Sequence, residues 1–294
     1  MIQSPISSLR VSDSDSFPFS ASAAMAYGPK EAVEQIFSEI VFKDYWGKSG
    51  AFDSSAFCSY LNPNENPEGY RSILNEITPL CQDRPGLIMS VGTERILFLL
   101  LLVDERYFTG VLGRDRDPAA KAYLDFVFLL IRLSSSMEEF VQLALPPTSD
   151  LLPRRIAEIR DKISVSSISL LARDYYLEHL ELFSSIYYDT NKNWVDWPEM
   201  DCVNYWRNRT LFDKLKRYVD AGAAASTVGD LRDPLPAHYI SLIDESNCRY
   251  WMKAPYPPIP YQPAFSVPLP RAIIRTIAPF FSGGPNWVYK WSPF

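Results

Sequence analysis

Between Gly86 and Pro118 the chain reads GLIMSVGTERILFLLLLVDERYFTGVLGRDRDP, and this stretch restricts the fold more than any other. Leu87 to Val91 is a short apolar run stopped by Gly92, the pattern of a strand buried on both faces in a parallel sheet. Residues 94 to 105, ERILFLLLLVDE, are apolar nearly all the way round, as in a helix held between a sheet and a covering element. YFTGVLGRD supplies a second strand. Pro118 then opens the helix AAKAYLDFVFLLIRL at a position where a first turn tolerates proline. The order strand, helix, strand, helix predicts an α/β chain with a Rossmann-like, mostly parallel sheet flanked by helices.

The flanks divide the chain further. Residues 1–30 form a Ser-rich flexible tail that lacks the uninterrupted apolar segment of a secretory signal. Residues 31–84 read as an N-terminal helical cap. Its first helix, Glu31 to Phe42, repeats apolar residues at helical spacing, and its second starts at Pro67 and is closed by Pro79 and Pro85. The Rossmann-like domain spans 85–294, and 134–221 is a helical insertion between the second and third strands. A parallel connection needs only about a dozen residues or more, and this segment has helical patterns throughout. Strands resume with ASTVGDLRDP and HYISLIDESN. The C-terminal part adds the proline-rich loop KAPYPPIPYQP, a helix from about Pro270 to Phe281, and a fifth and last strand in NWVYKW.

Composition excludes several functions. A net charge of −6 disfavours binding to a nucleic-acid backbone, which needs clustered Lys and Arg. Arg154, Arg155, Arg160 and Lys162 are the densest basic group, but Glu158 and Asp161 interrupt them, as on a solvated helix face. Cys58, Cys81, Cys202 and Cys248 lack metal-ligand spacing, and only His179 and His238 are available to join them, so no metal site is expected. Dispersed cysteines suit a reduced, cytoplasmic protein. The longest apolar run, Ile96 to Val103, is far below the roughly 20 residues of a membrane span. The chain has no GxSxG elbow, Walker A loop, HExxH or GxGxxG. That removes the usual signatures of hydrolases, phosphate cradles and nicotinamide enzymes.

In an open doubly wound sheet the ligand sits beyond the carboxyl ends of the strands, where strand order reverses. Four such ends carry small or polar residues: Gly92-Thr93-Glu94-Arg95, Asp115-Arg116, Asp230-Leu231, and Asp244 with Ser246 and Asn247. A glycine allows close backbone approach, and the N-terminus of the following helix offers free N–H groups. A carboxylate ending the second strand can accept both ribose hydroxyls, and the separation of Gly92 from Asp115 is close to the roughly 20 residues expected between glycine turn and ribose acid. Asp230 can accept from an adenine amino group. Each group also has an ordinary reading as a turn, a cap or a solvated loop. Tyr250 and Trp251 are placed to line a substrate pocket or to fill the core.

In this order of glycine, acid, Gly-Asp and Asp-x-Ser-Asn, the chain resembles the class I S-adenosylmethionine-dependent methyltransferase superfamily. The resemblance covers Leu87 to Pro118 and Ser226 to Asn247. It implies that Gly92 approaches the methionine part of S-adenosylmethionine, Asp115 holds the ribose, Asp230 faces adenine, and Asp244, Ser246 and Asn247 border the transfer site. LIDESN is also similar to the Asp-x-Ser-Asn element of betaine-lipid synthesis proteins, which transfer an aminocarboxypropyl group from the same cofactor. The implied activity is a methyl or aminocarboxypropyl transferase for a small or lipid-like acceptor, with no catalytic base identified. The first loop carries one glycine where the family has two or three. The competing expectation is therefore a non-catalytic Rossmann-like protein that serves as an interaction module for a protein partner, for example a bacterial effector.

Overall fold

The computed structural model describes residues 67–82, 86–91, 94–115, 118–168, 170–196, 198–228, 240–245, 272–277 and 288–293. The elements are helix α1 (Pro67–Cys81), strand β1 (Gly86–Ser90), helix α2 (Arg95–Leu102), strand β2 (Phe108–Asp115) and helix α3 (Pro118–Leu133). Helices α4 (Met137–Ala144), α5 (Leu152–Val165), α6 (Leu170–Asn191) and α7 (Arg209–Asp220) follow, with a 3-10 turn at Pro198–Val203. Strands β3 (Ala224–Val228), β4 (Ile240–Asp244), β5 (Ala272–Ile277) and β6 (Val288–Pro293) complete the set.

The expected α/β class is the one observed. The six strands lie in the order β3-β2-β1-β4-β5-β6. Pairing is parallel from β3 across to β5, and β6 runs antiparallel to β5. The chain enters the sheet at β1, moves outward through β2 to β3, and returns to β4 on the other side of β1. Strand order thus reverses between β1 and β4, the place where open α/β sheets bind ligands.

The C-terminal expectation fails in one place. Within the helix read from Pro270 to Phe281, Ala272–Ile277 is instead the strand β5, and β6 pairs antiparallel to it as a sixth strand. Ile273, Ile274, Thr276 and Ile277 are β-branched and stiff at χ1, and a free parallel edge on β4 accepts them as a strand. The NWVYKW strand is borne out as β6. The expected helix over 31–42, the tail, the proline-rich loop and His238 lie outside the described residues.

Helix α2 explains the all-round apolar pattern of its sequence. Every residue from Arg95 to Leu101 is buried. The insertion between β2 and β3 supplies α4 to α7, and α7 packs on the outer side of α2 and α3. The middle layer is therefore covered on both sides, each buried aliphatic side chain contributing roughly 1.5–3 kcal/mol. Tyr176, Phe183, Tyr187, Tyr205 and Trp206 of the insertion are buried in this same core. Phe140 sits among Tyr187, Tyr205 and Phe212 with ring centroids 5.5–5.9 Å away. Asn208 caps α7 by accepting from the Leu211 amide.

Close backbone approach marks Gly110 on β2. A Cβ there meets the Ala223 carbonyl oxygen at 2.1 Å, and that carbonyl is held by the Val111 amide. Backbone cannot swing aside as a side chain can. Gly110→Ala is expected to destabilise the fold by about 1–3 kcal/mol, read as a lower urea midpoint at unchanged slope.

Candidate functional site

At the reversal point, Ser90 ends β1 directly opposite Asp244 at the end of β4. Asp244 is fully buried, and four donors converge on its carboxylate. Arg95 donates through Nε to Oδ2 at 2.6 Å and through Nη2 to Oδ1 at 3.0 Å. Ser90 Oγ donates to Oδ2 at 2.8 Å, and Tyr70 Oη donates to Oδ1 at 2.8 Å. The Arg95 guanidinium also lies 4.7 Å from the centroid of the Tyr70 ring. A two-pronged arginine contact with both oxygens otherwise bonded is the geometry that best compensates a carboxylate for lost water. It ties α1, α2, β1 and β4 together at one point.

Glu94 and Arg95, adjacent at the start of α2, face different partners. Glu94 Oε1 accepts from Tyr123 Oη of α3 at 3.0 Å and from Asn191 Nδ2 of α6 at 2.7 Å. Its Oε2 has no hydrogen-bond partner. Burial pushes the Glu94 carboxyl up to about 7, partly offset by the bonds from Asn191 and Tyr123. Glu94 and Arg95, candidate cofactor-binding residues of the first strand end, are therefore bonded within the protein, as is Asp244.

Asp115 is buried at the end of β2. Ser90 pairs with Gly113 in register, so β2 extends two residues beyond β1 on the carboxyl side and ends in Asp115. Val228, the last residue of β3, pairs with Asp115. Arg114 beside it is among the most deeply buried large side chains. Asp115 thus lies on the rim, one strand from the reversal. Gly92, Thr93, Arg116, Asp230, Leu231, Ser246, Asn247, Tyr250 and Trp251 all lie outside the described residues. Of the sequence-selected set, the described residues bring Arg95 and Asp244 into contact, with Glu94 beside them and Asp115 further along the rim.

A second buried cluster went unread in the sequence. On α3, Lys121 Nζ donates to Asp125 Oδ2 at 2.6 Å and lies 3.3 Å from Ser226 Oγ of β3. Ser226 Oγ in turn donates to Asp125 Oδ1 at 2.5 Å. These bonds anchor α3 to β3 at the edge of the sheet. A lysine and an aspartate four apart in an otherwise apolar helix were the available signal. Tyr70, Ser90, Tyr123 and Asn191 gave none, since each is an ordinary residue of its own element.

Other sequence candidates are accounted for locally. His179 stacks on Tyr175 with centroids 4.5 Å apart, and its Nδ1 lies 2.9 Å from the Tyr175 carbonyl oxygen. The basic group on α5 is paired: Arg154 and Arg155 with Glu158, and Lys162 with Glu139. Among the described residues no helix is long and apolar enough to cross a membrane, and no three His, Cys, Asp or Glu side chains are grouped to hold a metal ion. Compared with family models, curated proteins and solved structures, the chain gives no match.

Proposed function

We propose that the chain binds S-adenosylmethionine at the carboxyl rim of β1 and β2 and transfers its methyl or aminocarboxypropyl group to a small or lipid-like acceptor. The observation that carries this reading is the position of Asp115, the carboxylate that extends past the end of β1 one strand from the reversal of strand order. The antiparallel β6 beside β5 also supports it, because the resembled superfamily closes its sheet with an antiparallel hairpin.

The residues at the ribose end fit the cofactor: a carboxylate is the acceptor that two adjacent hydroxyls require. Gly92 and Asp230 would serve the methionine and adenine ends. When bound, the cofactor supplies a sulfonium-activated carbon. The protein's part is to orient the acceptor in line with that carbon and to exclude water. With Asp244 bonded to Arg95, no base is assigned, so the acceptor arrives as its own nucleophile. Cys81 and Cys202 are not joined in a disulfide, which suits a reducing cytoplasmic setting.

Titration calorimetry tests the reading. S-adenosylmethionine and S-adenosylhomocysteine are expected to give saturable heat with the folded protein. Asp115→Ala is expected to weaken binding tenfold or more, since hydrogen bonds to a charged acceptor are worth about 1.5–3 kcal/mol. Absence of heat at millimolar ligand overturns it.

One observation favours a second reading, a non-catalytic Rossmann-like interaction module. Asp244, where the resemblance places the transfer site, is closed off by Arg95, Ser90 and Tyr70. A folded protein silent toward both nucleosides would support this module.

A further inference from the structure

Hydrogen-bond accounting around Glu94 does not close with protein atoms alone. Glu94 is fully buried, and its Oε2 lacks a donor. Asn191 uses Nδ2 twice, toward Glu94 Oε1 at 2.7 Å and toward the Tyr187 carbonyl at 3.0 Å, yet its Oδ1 also lacks a donor. Beside them Trp206 Nε1 donates to Tyr187 Oη at 2.9 Å, and the Tyr187 and Tyr205 hydroxyls are 2.9 Å apart. One hydroxyl proton lies between the two tyrosines, and the other finds no acceptor among the described residues. Tyr187 and Asn191 are four residues apart on the same buried face of α6, which brings the tyrosine pair beside the two surplus acceptors. An amide flip does not help, because it turns Asn191 Oδ1 toward two other acceptors.

We propose that Glu94, Asn191 and the Tyr187–Tyr205 pair enclose a binding site for one small molecule that offers two donors and accepts one, and that this molecule is water. A single water donates to Glu94 Oε2 and Asn191 Oδ1 and accepts the surplus tyrosine proton, so every polar atom is satisfied. If Glu94 carries a proton on Oε2, that proton is donated to the water and one water hydrogen is left without an acceptor, so the site favours the ionised carboxyl. It joins α2, α3, α6 and the turn carrying Tyr205 and Trp206. Arg95, next to Glu94 in the chain, is bonded to Asp244. The inference does not depend on cofactor binding.

A crystal structure of the full chain at a resolution that shows ordered water is the first test. One water is expected within about 3 Å of both Glu94 Oε2 and Asn191 Oδ1. Direct contact between those atoms, or a side chain filling the space, overturns the proposal. Water-selective NMR on the wild-type protein gives an independent reading: cross-relaxation from water to the Asn191 side-chain amide supports the site, and its absence counts against it. Asn191→Leu removes one acceptor for the water and one donor to Glu94. Its Glu94 ionisation, followed by carboxyl carbon shift, is expected to move to higher pH, and an unmoved or lowered midpoint counts against the site.

Discussion

Asp244→Ala is expected to lower the unfolding free energy by about 3–5 kcal/mol, the cost of leaving a buried partner charge uncompensated. Arg95 is only 7% exposed, and without Asp244 its guanidinium keeps the Tyr70 ring but loses the carboxylate that received two of its N–H groups. Ser90 and Tyr70 lose their acceptor at the same time. Replacing both charges, with Arg95→Met and Asp244→Leu together, is expected to recover much of the loss, because an apolar pair carries no desolvation cost. Urea unfolding of the two single variants and the double variant forms a cycle that measures the coupling. A stable Asp244→Ala protein would mean that the carboxylate is not part of the framework, and would return it to the list of ligand-facing residues.

Folding stability is expected to fall as pH rises from about 4.5 to about 7, by on the order of 3 kcal/mol, because of Glu94. Below 4.5 the carboxyl is protonated in both folded and unfolded chains and contributes no slope. Between the two values the unfolded chain releases its proton while the folded chain keeps it, so folding becomes progressively less favourable. Above about 7 both forms are ionised and the contribution levels off. Glu94→Gln should flatten the profile in this window and leave the protein more stable than wild type at pH 8. Glu139 acts elsewhere: Lys162 and Ser135 hold its carboxyl down to about 2, so its contribution is lost only as pH falls below about 4.5 toward that value. Chemical unfolding of both proteins across pH 5 to 8 checks the assignment, and parallel slopes would refute it.

Much of the first half of the domain was legible because its signals were local. The run LIMSV, the all-round apolar α2 and Pro118 at the start of α3 each state their own structure. The C-terminal segment was not legible in the same way. AIIRTI satisfies a loose helical spacing, and its β-branched residues become decisive only when an open edge on β4 is known to await them. The site divides similarly. The sequence picked out Glu94, Arg95, Asp115 and Asp244 as polar groups near strand ends, but gave no means of telling a residue that faces the rim from one bonded inward.

By itself, then, the sequence determined the alternation of strands and helices, the insertion after α3 and the acids that punctuate the strand ends, since periodicity and turn chemistry act over a few neighbouring residues. Only the tertiary structure decided that Arg95 and Asp244, with Tyr70 and Ser90, close the reversal point, and that Glu94 meets Tyr123 and Asn191 from two other helices. Those contacts join residues up to 174 positions apart. Their energy comes from removing charge and polar groups from water together, a quantity that exists only once the layers have packed.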